Sequence, residues 1–433
     1  MSNAPMLPRL SPPHSGQHIS APVIPLPPTF PPDVDPATYR LETVTHLLKQ
    51  AAYFPIFSIA NPQSPNTPIL LLPGVPFLIT AVEVNEQLHR FEAHVQQPTL
   101  NAGVRASNHV GETVAHVHIR WTPIPEHFAA TPDRMPPTTV LNPFCSQRFA
   151  MLDGRFTFDD KAQSGFKGFG TGRTFPVQEG GKRRLRIGAV IDILEGFGQL
   201  QGLGGTVVVN GYIEPPQGLA LNLLVRLMDP TGRLTATSAL MPLQEIPDPD
   251  PDAVFMFFLG EVDPEQSVTL NFAPDGRILG SQVHELLRLV HIGFDLHTPK
   301  GLHSRTSAGP IVGAVSATLA FNPLDPRPVS PIRTTNGVFT FFDSDRRVIG
   351  TVQSNMVEGR ALRTTLEGAP MPVFRFGGFG PILGGTGQFG GADGMMSMNS
   401  AISVFPRTLS NLYIFRFYDP ARKLHDTLRA AWS

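Results

Sequence analysis

At 433 residues the chain is too long for a single hydrophobic core and suits two or three domains. Its charge is balanced, 34 Lys and Arg against 35 Asp and Glu, so electrostatics gives no reason to expect nucleic acid or an anionic membrane as partner. Charged residues make up only 16%, while 40 Gly, 45 Pro and 30 Phe are all high, which excludes a fold of long surface helices.

Residues 1–35 hold ten prolines and little periodic pattern, the composition of an extended, solvated leader rather than packed structure. No basic-then-apolar signal pattern opens the chain, and the expected location is cytoplasmic. Asp35-Pro36 reads as a helix start, and Leu41, Val44, Leu47, Leu48 and Ala51 recur at helical spacing, predicting one helix near 36–51. The apolar run from Ile69 to Val82 is interrupted by Pro73 and Pro76 and is too short to cross a bilayer, so no membrane span is expected. From there the punctuation is that of a β-protein. His116 to Trp121, Phe156 to Phe158, Thr206 to Val209 and Leu221 to Leu227 are short runs bounded by Gly, Pro, Asn or Asp. The single cysteine, Cys145, excludes an internal disulfide framework and reads as a small buried apolar residue.

Residues 246–251, Ile246-Pro247-Asp248-Pro249-Asp250-Pro251, form a proline–aspartate run that reads as a linker. Beyond it come Val254 to Leu259, Val268 to Phe272, Val312 to Phe321, Val338 to Phe342 and Met398 to Val404 as further strands. Ser281 to His291 fits a short helix or a strand equally well.

The chain also repeats itself. Leu223-Leu224-Val225-Arg226-Leu227-Met228-Asp229-Pro230 is echoed by Tyr413-Ile414-Phe415-Arg416-Phe417-Tyr418-Asp419-Pro420. Gly198-Gln199-Leu200-Gln201-Gly202 is echoed by Gly387-Gln388-Phe389-Gly390-Gly391, and Phe156-Thr157-Phe158 by Phe339-Thr340-Phe341. Three landmarks in one order, at offsets of 183 to 190, imply duplication of a whole domain. The expected units are a first domain over 36–245 and a second over 252–433.

The run Gly384-Gly385-Thr386-Gly387-Gln388-Phe389-Gly390-Gly391-Ala392-Asp393-Gly394 precedes a strand reaching Phe405-Pro406 and then Leu412 to Phe417. This resembles the end of the allene oxide cyclase family, of the dirigent-like superfamily, where a Gly-rich strand–turn–strand precedes a strand closed by Phe-Pro and a final aromatic strand. Gly196 to Gly205, ahead of Pro215-Pro216, is a degraded version in the first copy. The resemblance spans 384–433 and fewer residues of the first copy. It implies an all-β chain of two tandem antiparallel calycin-like barrels. It also implies a cofactor-independent isomerase or cyclase acting on a hydrophobic small molecule held in an apolar lumen. The rival expectation is a non-catalytic ligand-binding or assembly protein whose barrels are filled by side chains. The resemblance covers scaffold positions only, so no catalytic residue of the family is carried over. Residues without a Cβ let strands coil tightly in a small barrel, and Gly198 to Gly205 opens no helix in a βαβ unit, so a dinucleotide site is unsupported.

Candidate chemistry follows from polar residues in apolar strands. Asp192 and Glu195 lie in the stretch Ile187 to Phe197, and Glu367 precedes the second glycine run; a carboxyl desolvated in a barrel serves as general acid or base, whereas outward-facing carboxylates on alternating strands are the commoner case. Arg226 and Arg416 occupy matching places before Asp-Pro, where each either faces solvent, or is buried with a carboxylate partner such as Asp229 or Asp419, or faces a lumen and anchors a substrate carboxylate. Tyr212 and Tyr413 are phenol donors if not simply core, and Met395, Met396 and Met398 read as gap-fillers. His116 and His118 share one face of a strand, the geometry of two imidazole ligands, and His291, Asp295 and His297 occupy a comparable place in the second copy, but the spacing matches no specific metal motif. No cofactor is expected. Assembly into a homo-oligomer is left open by the sequence.

Overall fold

The computed structural model describes residues 51–61, 79–90, 104–106, 109–120, 147–158, 162–214, 218–228, 245–247, 252–263, 269–272, 278–298, 301–320, 329–364, 373–403 and 408–432; up to residue 120 only the backbone is described. Of two compact units, Met1–Glu42 lies outside these residues and Thr43–Ser433 contains all of them. The proline-rich leader, Cys145, Glu367 and the helix expected near 36–51 lie outside the described residues, except that Ala51 opens a strand.

The described protein is all-β and antiparallel apart from one helix and one short turn. In chain order the first strands are β1 (Ala51–Asn61), β2 (Ile79–Arg90), β3 (Val104–Ala106), β4 (His109–Arg120) and β5 (Gln147–Phe158), of which all but β3 belong to the first sheet. It continues through β6 (Gly165–Glu179), β7 (Lys182–Phe197), β8 (Gly204–Glu214) and β9 (Gly218–Met228). Leaving β3 aside, each strand pairs with the next and β9 returns to β1, which closes the sheet. The glycine run after Gly196 is the end of β7, a single 3-10 turn over Gly198–Leu200 and the start of β8. β3 pairs instead with β10 (Glu245–Pro247). The proline–aspartate run expected to be a bare linker thus begins in strand, which a two-stranded pair tolerates because a proline there can face the open edge.

The second sheet holds β11 (Ala253–Val262), β12 (Thr269–Phe272), β13 (Ile278–Thr298), β14 (Gly301–Ala320), β15 (Val329–Pro331) and β16 (Arg333–Phe342). After these come β17 (Val348–Ser354), β18 (Glu358–Thr364), β19 (Val373–Gly387), β20 (Gly394–Ser403) and β21 (Thr408–Tyr418). Its pairing runs β11, β13, β14, β16, β17, β19, β20, β21 and back to β11, so this path also returns on itself. β18 shares an edge of β19 with β17, β15 pairs with β18, and β12 pairs with β13. Ser281 to His291, undecided from sequence, is strand.

Three apolar clusters explain why the strands read as continuous hydrophobic runs. Inside the first ring lie Ala189, Ile191 and Ile193 of β7, Val207 and Val209 of β8, and Leu223, Val225 and Leu227 of β9. The residues between them, Val190, Val208 and Leu224, turn to the other face and pack with Phe255, Phe257, Phe379, Met395, Leu412 and Ile414 of the second sheet. Inside the second ring lie Phe258, Phe339, Phe341, Phe374, Phe376, Met396, Met398, Phe415 and Phe417. Strands dry on both faces lose the apolar–polar alternation of a sheet with one wet side. The helix α1 (Lys423–Trp432) adds Leu424 and Leu428 to the second interior, and its Trp432 Nε1 donates to the Phe342 carbonyl at 2.7 Å.

The sheets meet face to face across a polar-studded seam. Asn210 Nδ2 donates to the Met395 and Ile414 carbonyls at 3.0 and 3.3 Å. Reciprocally, Asn399 Nδ2 donates to the Thr206 and Leu224 carbonyls at 2.8 and 2.9 Å. Gly188 and Gly377 let the backbones approach. A Cβ on Gly188 would sit 2.3 Å from the Phe379 ring, and one on Gly377 would sit 2.7 Å from Val190 and Val208. Among the described residues no helix is long and apolar enough to cross a membrane.

Candidate functional site

The residues singled out from sequence fall in three different places. Glu195 is exposed, 3.9 Å from Lys167. Asp192 is buried on the outer face of the first ring, 2.9 Å from Arg360 of the second sheet. Burial outweighs the pull of Arg360 and Arg375 and raises its pKa. Arg226, buried on the same seam, donates to the Ser410 carbonyl at 2.9 Å. Neighbouring Arg375 has a pKa lowered to about 10, first by burial and then by the Arg226 charge. The strands bearing His116, His118, His291, Asp295 and His297 are described, their side chains are not. Among the described residues no group of three His, Cys, Asp or Glu is placed to hold a metal ion.

Arg416 is completely buried, and the carboxylate holding it is neither of those nearest in sequence. Arg416 Nη1 and Nη2 donate to Glu179 Oε1 and Oε2 at 3.1 and 3.0 Å, a two-pronged pair between β21 and the end of β6. Arg186 Nε donates to the same carboxylate at 2.8 Å and Arg184 Nη1 at 3.3 Å. Arg186 also reaches Asp393 at 2.7 Å and the Gly394 carbonyl at 3.1 Å. The Arg184 and Arg416 guanidiniums lie over Tyr212, 4.3 and 5.1 Å from its ring centre. Burial pushes the Glu179 pKa up, but the Arg416 and Arg186 charges overcome it and hold the carboxyl well below its usual range. Asp419 instead accepts from the His425 backbone N–H at 2.9 Å, capping α1. Through Glu179–Arg416 and Arg186–Asp393, this cluster ties the two sheets together.

A different group faces the interior of the second ring. Val283, Glu285 and Leu287 share one face of β13, and Asn411, Tyr413, Phe415 and Phe417 share one face of β21. Asn411 Nδ2 donates to Glu285 Oε1 at 2.6 Å, and the Tyr413 hydroxyl donates to Oε2 at 3.0 Å. Asn411 Nδ2 also lies 3.0 Å from the Tyr413 hydroxyl, which ties the three into one unit. All three are buried, with Phe339 edge-on to Tyr413 at 5.4 Å. Gly260 makes room for the carboxyl: a Cβ there would lie 2.1 Å from Glu285 Oε2. Burial raises the Glu285 pKa to about 7 against the two neutral donors, and burial followed by the Glu285 charge drives that of Tyr413 well above the ordinary phenol range. Glu285 therefore changes protonation near neutrality while Tyr413 stays a donor.

Glu285 and Asn411 were not among the residues marked from sequence. The signal was Glu285 between Val283 and Leu287, a lone acid on an apolar face, which is visible only once that stretch is read at strand rather than helical period. Ladder positions locate the corresponding places in the first ring. Glu86 stands opposite Thr113, itself opposite Phe156, as Glu285 stands opposite Val315 and Val315 opposite Phe339. Where the second ring has Asn411 and Tyr413, the first has Leu221 and Leu223, both packed with its apolar cluster. At these matching positions the donor pair is found in the second ring and not in the first.

Comparison with protein-family models, curated proteins and solved structures finds no match for this chain.

Proposed function

We propose that the interior of the second ring is the site of a cofactor-independent isomerase or cyclase for a hydrophobic small molecule, with Glu285 as its acid–base group. The observation that carries this reading is a carboxyl buried in an aromatic interior, held by two neutral donors and poised near pH 7. The Glu285 carboxylate removes a proton from a carbon next to a ligand carbonyl, and the C–H electron pair becomes an enolate double bond as the carbonyl pair moves onto oxygen. Glu285, now protonated, returns the same proton to a different carbon or to the oxygen. Atoms and electrons balance within the ligand, and no co-reactant is consumed. Asn411 and Tyr413 fix the carboxyl orientation, and the surrounding phenylalanines exclude water.

The same reading takes the two rings as calycin-like barrels of the allene oxide cyclase type, derived by duplication. Supporting it are the closed pairing orders and the reciprocal bonds of Asn210 and Asn399, which stand at matching ladder positions opposite Gly188 and Gly377. The first ring is then a partner that lost the Asn–Tyr pair and retains the seam.

One observation favours the rival, an assembly protein with filled barrels. Phe258, Phe341, Phe389, Phe415, Phe417 and Trp432 pack ring against ring at one end of the second interior. Proton exchange separates the two. In deuterated buffer the protein is expected to exchange the α-hydrogens of an apolar ketone such as 2-decanone, followed by NMR, and Glu285→Gln is expected to abolish the exchange. No exchange above buffer, with no apolar compound co-purifying in native mass spectrometry, would leave the assembly reading standing.

A further inference from the structure

We infer that the second ring accepts a ligand that is uncharged along the part it buries and refuses the carboxylate form of the same molecule. The inference rests on reading Glu285 as the partner of that ligand, and adds the ligand's charge class.

The strands of the second ring sort their charges by face. Arg416 lies between inward-facing Phe415 and Phe417, and Arg375 between inward-facing Phe374 and Phe376, so both guanidiniums turn outward. Outside the ring Arg416 holds Glu179, while Arg375 lies near Asp192 and Arg226. Arg288, on the outer face of β13, is half-exposed and bound to Glu261 at 2.8 Å. Among the residues of these strands whose side chains are described, the inward positions carry no Lys, Arg or His, and Glu285 is the one carboxyl. The donors at hand, the Asn411 amide and the Tyr413 hydroxyl, are both directed at Glu285.

A carboxylate drawn in beside Glu285 would shed its water and face aromatic rings and two neutral donors already in use. It would also lie beside a group that itself becomes anionic, and like charges repel most where the dielectric is low. An ester, ketone or alcohol on the same chain meets neither penalty. The arginines that looked suited to anchoring a substrate carboxylate are on the wrong side of the sheet for that task.

Calorimetric titration of the full chain with methyl decanoate and with decanoate tests this, at about pH 8.5, where the free acid and Glu285 are both ionised. The ester is expected to bind at least ~10-fold more tightly than the acid, and Glu285→Gln to narrow that ratio. Decanoate binding as tightly as the ester, or more so, would overturn the charge rule while leaving the ring a ligand site. Binding of neither probe by the folded protein would remove the ligand site and this inference together.

Discussion

Glu179 and Glu285 are both glutamates shut away from water, yet their acidities move in opposite directions. Glu179 sits on the seam between the sheets with Arg184, Arg186 and Arg416 around it, and its pKa falls. Glu285 sits inside the second ring with an amide and a phenol, and its pKa rises to about 7. Burial alone acts the same way on both, disfavouring the charged form. The neighbours decide the outcome: cations lock Glu179 as a permanent anion, whereas neutral donors leave Glu285 free to exchange a proton. One is a clamp and the other a reactive group, from the same side chain in comparable dryness.

The largest effect should come from breaking the clamp. Glu179→Gln keeps the shape and removes the carboxylate that three guanidiniums share, and it is expected to destabilise the protein by about 3–5 kcal/mol in denaturant unfolding. A loss under about 1 kcal/mol would mean the seam does not rely on this charge. The next effect is the opposed pH dependence. A lowered pKa gives Glu179 a contribution present above the ordinary value of 4.5 and lost as pH falls below it. A raised pKa makes Glu285 cost stability as pH rises from 4.5 through about 7, on the order of 3 kcal/mol at most. Unfolding curves should therefore show Glu285→Gln gaining on the wild type across that window and Glu179→Gln converging on it in acid. Parallel curves for the wild type and Glu285→Gln from pH 5 to 8 would show that Glu285 is not perturbed.

What could be read in the sequence divides along the same line. The all-β class was legible because short apolar runs between Gly and Pro leave no room for long helices, and the landmark repeats at 156/339 and 226/416 fall on corresponding ladder positions. The apolar setting of Asp192, Arg226 and Arg416 was legible too, because each interrupts an apolar strand, though the sequence left open whether they face solvent. Which face they take was not. When both faces of a strand are dry, period-two alternation no longer tells lumen from seam, and these three residues lie on the seam. The partner of Arg416 was out of reach for another reason: Glu179 is 237 positions away, whereas Asp419 is three residues on and already used as a helix cap. Glu285 escaped because Ser281 to His291 fits two periods, and only the strand period sets it on an apolar face.

The finest test asks how much of the Glu285 environment is owed to donors rather than to dryness. Tyr413→Phe removes one of the two hydrogen bonds to the carboxyl, keeps the ring against Phe339, and leaves Asn411 in place. A donor favours the ionised acid, so its loss should push the Glu285 pKa above about 7, by up to one unit, equivalent to roughly 1 kcal/mol. NMR titration of selectively labelled glutamate carboxyls in the wild type and Tyr413→Phe reads this directly, with Glu285→Gln identifying the resonance. An upward move means that the phenol tempers the acid, and α-proton exchange in the ketone assay should then begin at higher pH in the variant. A downward move would mean that the hydroxyl stabilises the protonated carboxyl, and the assignment of Tyr413 as donor would have to be reversed.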